Sequence, residues 1–309
     1  MVMAVRVFID GAAGTTGLEI RDRLKGRDEF ELLVLPDDQR KNAKARKDAL
    51  HAADIAILCL PDDAARETVA LAEGSQVRII DASSAHRVAE GWTYGFPEII
   101  GHSRIRKVRL VSNPGCYPTG FIALLAPLVD EGLLRSDWPF TVNAVSGYSG
   151  GGNALIDRFE ADKTLAFRAY GLALGHKHLA EMTRYSGLRH APVFSPAVVP
   201  AYRGMVIDIP VPGQAFAGDT GAGNLHEVLE AAYESSRVVR VHDCADNPSE
   251  IILNADAPAS DALDLYVFGE GQEARLVAVL DNLGKGASGA AIQNLNIMCG
   301  IAETTGLRL

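Results

Sequence analysis

Between residues 4 and 83, short apolar runs alternate with segments of helical period: AVRVFI, TGLEIRDRLKG, FELLVL, DIAILCL, DDAARETVALAEG and VRIIDAS follow one another. Strands joined by crossover helices in this order imply a parallel, doubly wound sheet. The stretch Ile55-Ala56-Ile57-Leu58 is apolar at every position, as a central strand covered on both faces must be. Beyond residue 140 the texture changes. The segments GMVIDIPV (204–211), LDLYVFG (263–269) and ARLVAVLDN (274–282) alternate instead, the pattern of a mostly antiparallel sheet with one covered face. Two domains are expected, the first spanning 1–115 and the second 116–285. The final segment SGAAIQNLNIMCGIAET sets Ile292, Leu295, Cys299 and Ala302 on one helical stripe, so residues 286–309 are expected to return to the first domain.

A net charge of −9 argues against a nucleic-acid surface, because phosphate-backbone binding needs clustered Lys and Arg. The start MVMAVRVFID runs directly into a strand pattern, without the basic region, apolar core and cleavage site of a leader. No stretch approaches membrane-spanning length. A cytoplasmic protein acting on a small molecule is the expectation. The four cysteines, Cys59, Cys116, Cys244 and Cys299, contain no CxxC pair, so neither a disulfide framework nor a zinc site is expected, and no metal. Cys59 and Cys299 lie in apolar runs and are read as small buried hydrophobes.

The first strand ends in DGAAGTTG, with Gly11, Gly14 and Gly17 leading into the first helix. In a dinucleotide fold such glycines permit the tight turn, the approach of the pyrophosphate and close packing of helix on strand. The N–H groups at the helix start then hold the phosphates. The spacing is GxxGxxG, and a glycine turn that binds nothing is the alternative; the strand-turn-helix context favours a Rossmann-type site. In LLVLPDDQRKN, Asp37 and Asp38 suit the ribose of NAD, whereas Arg40 and Lys41 suit the 2′-phosphate of NADP. Arg40 turns the expectation towards NADP.

SNPGCYPTGFIALLAPLV (112–129) places one thiol ahead of a long apolar helix. Pro118 suits a first turn, so the helix should start within a residue or two of Cys116. A thiol there is favoured as thiolate by the dipole and the unpaired N–H groups, which could also hold an oxyanion. A buried thiol filling space is the alternative. The neighbouring glycines and prolines favour a shaped catalytic turn. A thiolate catalyst needs an acid or base, and YGLALGHKHLAEM supplies His176 and His178, with Glu181 one turn beyond His178 to orient it. His51, His102, His190, His226 and His242 read as surface or packing residues; His86 stands apart because it adjoins Arg87 in DASSAHR. SGYSGGGN (146–153) and DNLGKGASGAAIQN (281–294) are glycine-rich segments at strand ends that a cofactor's phosphate and ring can approach.

FIDGAAGTTGLEIRDRL, ADIAILCLPDDAARE, DASSAHRV, YGFPE, NPGCYPTG, AVSGYSGGGN, YGLALGHKH and LDNLGKGASGAAIQNLN together resemble the N-acetyl-γ-glutamyl-phosphate reductases of the short, type 2 form, over essentially the whole chain. More distant kinship is with aspartate-semialdehyde dehydrogenase and glyceraldehyde-phosphate dehydrogenase. The resemblance implies NADPH-dependent reduction of an acyl phosphate to N-acetyl-glutamate 5-semialdehyde, with phosphate released, in arginine biosynthesis, and assembly as a homodimer or homotetramer. It implies Cys116 as nucleophile and His178 with Glu181 as acid/base, with His176 as substitute. The substrate set is Arg87, matching the family's arginine after the fifth strand, with Asn113 and Arg203. The cofactor set is Gly11, Gly14, Thr15, Thr16, Gly17, Arg40, Ser83, Ser146, Gly147, Ser149, Gly150 and Asn282. Asn153 departs from the family, where a basic residue is expected. An aspartate-semialdehyde dehydrogenase is the other reductase reading, and a non-catalytic NADP-binding regulator the reading from another class.

Overall fold

The computed structural model describes residues 4–309, so the part of the leader reading that falls on residues 1–3 lies outside it. The chain forms two compact units: one reaches to Pro114 and adds Ala287–Leu307, and the other is Gly115–Gly286 with Arg308 and Leu309.

The first unit holds β1 (Val5–Asp10), α1 (Thr15–Leu24), β2 (Phe30–Leu33), α2 (Ala43–Ala52), β3 (Ile55–Leu58), α3 (Asp62–Leu71), β4 (Arg78–Asp81), β5 (Thr93–Tyr94), α4 (Pro97–Ile100), α5 (His102–Lys107) and β6 (Leu110–Ser112). The strands pair in the order β2-β1-β3-β4-β6-β5, and every pairing is parallel. Alternating residues feed two cores. Val7, Ile9, Ile55, Ile57 and Ile80 meet Ile20, Leu24, Ile292 and Leu295 on one face, whereas Phe8, Ala56, Leu58 and Ile79 meet Leu50 on the other. This two-sided burial is why IAIL carries no polar position.

α2 carries no sequence signal of its own. Its stretch AKARKDALHA buries only Arg46 and Leu50, so its apolar stripe is almost absent. Asn42 caps it, its side chain accepting from the Ala45 N–H. Arg46 pairs with buried Asp10 at 3.0 Å, and also donates to Thr68 Oγ1, which itself donates to Asp10 at 3.0 Å. Asp10 immediately precedes Gly11, so a buried charge network ties α2 and α3 to the glycine turn. Arg46→Met strands the Asp10 carboxylate and should lower stability by about 3–5 kcal/mol, read from the urea midpoint; a midpoint matching the parent would contradict the pairing.

The second unit holds α6 (Cys116–Asp130), β7 (Thr141–Gly147), α7 (Gly152–Ala161), β8 (Arg168–Ala169), α8 (Leu179–Tyr185), β9 (Val193–Val199), β10 (Met205–Val211), α9 (Ala222–Tyr233), β11 (Val239–Val241), β12 (Leu263–Glu270) and β13 (Glu273–Leu280). Its sheet runs β11-β12-β13-β10-β7-β9-β8. It is mostly antiparallel, with parallel pairings of β7 with β9 and β11 with β12. α6 lies so close to the sheet that a Cβ on Gly120 would sit 2.7 Å from Ile207 Cγ1. Pro127, inside α6, cannot donate to the Ala123 carbonyl. The Tyr233 hydroxyl donates there instead, at 2.8 Å.

α10 (Gly289–Cys299) belongs to the first unit. Ile292, Leu295 and Cys299 of the expected stripe pack in the first core, but all ten residues from Gly289 to Met298 are buried, so burial extends beyond that stripe, and Ala302 lies past the helix end. Its polar residues are buried with partners. Asn294 donates to the Gly95 carbonyl at 2.9 Å, and Asn296 to those of Glu303 and Thr305 at 2.9 and 2.8 Å. Cys59 and Cys299 are only partly buried. Even so, burial pushes the Cys59 thiol up to about 12 and the Cys299 thiol up to about 11, so both stay protonated. Among the described residues no helix is long and apolar enough to cross a membrane.

Candidate active site

In the first unit the glycine turn has the backbone demands of a phosphate cradle. Gly11 has φ +88°, and a Cβ there would lie 2.2 Å from the Cys59 carbonyl oxygen. A Cβ on Gly17 would lie 2.3 Å from the Gly11 carbonyl oxygen. Only glycine fits either place. Gly14 caps α1 and brings no side-chain hydrogen bond, so the Thr15 and Thr16 end of the helix retains the dipole an anion needs. These residues fit a dinucleotide's pyrophosphate. Arg40 is exposed and pairs with Asp37 at 3.5 Å, in the turn that the Gln39 and Arg40 N–H groups close onto the Pro36 carbonyl.

Three other predicted residues cluster at the ends of β4 and β6. Arg87 follows the fourth strand, not the fifth that the resemblance implied; the fifth, β5, comes only afterwards, at Thr93–Tyr94. The Arg87 Nε donates to the Asn113 carbonyl at 3.0 Å and its Nη2 to the Ala82 carbonyl at 3.2 Å. Asn113 donates to the Ala287 carbonyl at 2.9 Å and accepts from Asn294 at 3.2 Å. Ser83 is buried and donates to Asp81.

In the second unit Cys116 is the first residue of α6, with Gly115 as N-cap, and it is partly accessible. The Gly115 N–H donates to Glu181 Oε2 at 3.2 Å. Buried Glu181 thus fastens the turn that carries the thiol to α8, a role the sequence spacing did not suggest. His178, also buried, is the N-cap residue of α8. Its backbone N–H donates to His176 Nδ1 at 3.1 Å, so neutral His176 is held with its proton on Nε2. The two imidazoles lie edge to face, 4.6 Å between centroids. Tyr117 sits 5.9 Å from the His178 ring and 6.2 Å from the His176 ring. Its hydroxyl donates to the Ala197 carbonyl at 3.2 Å and accepts from Tyr170 at 3.3 Å. Burial drives the Tyr117 hydroxyl far above the usual tyrosine range, and both tyrosines feel the Cys116 sulfur's charge. Their rings border the imidazole pair. Neither was singled out from sequence, although Tyr117 adjoins the cysteine.

The segment Gly284–Ser288 is a π-helical turn, and a Cβ on Gly286 would stand 2.9 Å from the Cys116 Cβ. Its glycine at 286 therefore lets main chain pass close against Cys116. SGYSGGGN is not an open loop: Tyr148–Gly151 form a 3₁₀ turn leading into α7, whose exposed Asn153 stands in the first turn. Asn282 donates to Ser149 Oγ at 2.9 Å and accepts from the Gly204 N–H at 2.9 Å. Arg203 pairs with Asp281 at 2.8 Å. Ser146 is buried and donates to the Gly147 carbonyl; Gly147 itself has no room for a Cβ, which would meet the Arg203 backbone at 2.8 Å. Ser146, Ser149, Arg203 and Asn282 thus brace the site's framework, and Gly150 is the exposed member of that group. Among the described residues no group of three His, Cys, Asp or Glu could hold a metal.

Family models agree with this division. The NAD binding domain of semialdehyde dehydrogenase matches residues 6–107 and its dimerisation domain residues 116–282. A Nostoc protein named N-acetyl-gamma-glutamyl-phosphate reductase 2 is 47% identical, covering 98% of this chain and 99% of that one. A protein of the same name from Pseudomonas putida is 48% identical over 97% and 98%, and an N-acetyl-gamma-glutamyl-phosphate reductase from Rhizobium meliloti is 48% identical over 96% and 99%. Among solved structures, aspartate semialdehyde dehydrogenase II from Vibrio cholerae superposes with a TM-score of 0.75 at 20% identity, covering 96% of this chain and 99% of that one; at that identity the likeness is one of fold. The chain belongs to the semialdehyde dehydrogenase family, in its N-acetyl-gamma-glutamyl-phosphate reductase branch.

Proposed function

We propose that this protein reduces N-acetyl-γ-glutamyl phosphate to N-acetyl-glutamate 5-semialdehyde and phosphate in arginine biosynthesis, through a thioester on Cys116. The observation that carries the reading is a partly accessible thiol at the first position of α6, its cap residue fastened by Glu181, in a chain with near full-length reductase relatives. The Cys116 thiolate attacks the acyl-phosphate carbonyl carbon; a C–S bond forms, the C–O bond to phosphorus breaks, and phosphate leaves. N–H groups at the start of α6 stabilise the oxyanion. NADPH, held by Gly11, Gly14, Thr15, Thr16, Gly17, Arg40 and the Ser83 segment, supplies when bound the hydride that takes the thioester to the aldehyde level. His178 lends a proton to the tetrahedral oxygen and recovers it as the C–S bond breaks, so the thiolate is regenerated. Arg87 holds the phosphoryl group, with Asn113 and Arg203 framing the substrate.

The reverse assay tests this reading: N-acetyl-glutamate semialdehyde, phosphate and NADP should give phosphate-dependent formation of reduced cofactor, with NAD a weaker substitute. Turnover of aspartate semialdehyde alone would move the protein to the other reductase reading. Cofactor binding without turnover of either aldehyde would make it a regulator.

A homodimer or homotetramer, working in the cytoplasm, completes the proposal. It is supported by the dimerisation-domain match and by the sheet face turned away from α6. There, Val145, Val206, Phe268 and Val277 border a cavity of about 500 Å³.

A further inference from the structure

We propose that Asp81 and His86 are positioning residues that aim Arg87 at the substrate's phosphoryl group; the inference rests on the phosphoryl-holding role given to Arg87 above. Asp81 ends β4 and is fully buried. Its carboxylate accepts from the Ser83 N–H at 2.9 Å, from the Ser83 hydroxyl at 2.7 Å and from His86 Nδ1 at 2.6 Å. A carboxylate so deep persists only with this degree of hydrogen bonding. Because it can only accept, His86 must carry its proton on Nδ1. The same ring stacks on Trp92, 4.2 Å between centroids and 14° between planes. His86 is thus fixed both in its plane and along its edge.

The next residue is Arg87. Its guanidinium bridges two main-chain carbonyls, Ala82 just beyond β4 and Asn113 just beyond β6. A guanidinium fork recognises phosphate only when its plane is preset. Ala82 and Arg87 are the two ends of the turn that Asp81 and His86 clamp. Releasing the clamp lets the fork swing while leaving the β4 and β6 strands paired, and a misaimed fork weakens phosphate contacts first.

The test is the phosphate KM in the reverse assay, set beside the KM for the aldehyde and the Kd for NADP. Arg87→Gln must first raise the phosphate KM; if it does not, the role of Arg87 fails and the inference with it. His86→Phe keeps a ring to stack on Trp92 but has no Nδ1. It should raise the phosphate KM roughly ten- to a hundredfold, with the aldehyde KM within about threefold and the NADP Kd shifted far less than the phosphate KM, because the bonds from Ser83 to Asp81 stay in place. His86→Asn, whose amide nitrogen can stand where Nδ1 does, should recover most of the loss. His86→Gln, which carries its amide one bond further out, should not; this pair serves if the Phe variant does not fold. A phosphate KM that stays put in His86→Phe and His86→Gln while Arg87→Gln raises it would overturn the inference. So would equal losses across phosphate, aldehyde and NADP, the mark of a merely structural role.

Discussion

Cys116→Ala is expected to lower turnover in the phosphate-dependent reaction by at least about 10⁴-fold, or ~5 kcal/mol in the barrier. The thiol carries both covalent steps, and no other side chain can replace it: Cys59 and Cys299 are held protonated by burial, and Cys244 lies on the 3₁₀ turn Cys244–Asp246, its thiol donating to the Val267 carbonyl. The Kd for NADP, measured by fluorescence titration, should stay within about twofold, because Gly11, Gly14 and Gly17 are set by the first unit's own contacts. Cys116→Ser is the stricter variant. It keeps an oxygen at the same place but offers a far weaker nucleophile at neutral pH, so it should be nearly as inactive. Full activity in either variant would remove the thioester route.

The second large effect belongs to the imidazoles. His178→Gln should cost about 10²–10⁴-fold in kcat, the usual worth of a positioned acid or base. His176→Asn should cost less than about tenfold. The geometry supplies the reason: His176 spends Nδ1 accepting the backbone N–H of His178, an acceptor function that Asn can reproduce with its side-chain oxygen. A buried His178 that caps α8 in the same unit as the thiol has no such substitute. The reverse ranking of the two variants would assign the proton to His176. In the parent, the kcat profile against pH should lose one ionisation in His178→Gln and keep it in His176→Asn.

The strand-turn-helix at residues 5–24 and the helix start at Cys116 were legible because each rests on local rules: alternation for β1, glycines where no Cβ fits, and prolines early in a helix. The central strands were legible for a related reason, since a segment buried on two faces has no polar position to mislead the reader. α2 was not legible. Its buried face consists of one leucine and one arginine, and Arg46 earns its place there through Asp10, a partner 36 residues away that no local pattern announces. α10 was legible only along its apolar stripe: its polar residues are buried as well, Asn294 and Asn296 bonded to main chain and Gln293 to the carboxylates of Glu98 and Glu303. Glu181 was found by spacing as a partner for His178, yet the structure shows its carboxylate on the Gly115 N–H, a contact across 66 residues. The Asp81–His86 clamp lay inside a motif already noticed for its arginine. Its signal was a charged residue ending a central strand, which must find partners nearby.

The acyl group carried by sulfur is the intermediate on which the whole reaction turns. Enzyme mixed with N-acetyl-γ-glutamyl phosphate in the absence of reduced cofactor should gain the mass of one N-acetylglutamyl group in intact-protein mass spectrometry. Peptide mapping should find that group on Cys116, hydroxylamine should release it, NADPH should discharge it, and Cys116→Ala should never acquire it. An enzyme that turns over the acyl phosphate while no adduct forms, or whose adduct maps to a different residue, would contradict the account.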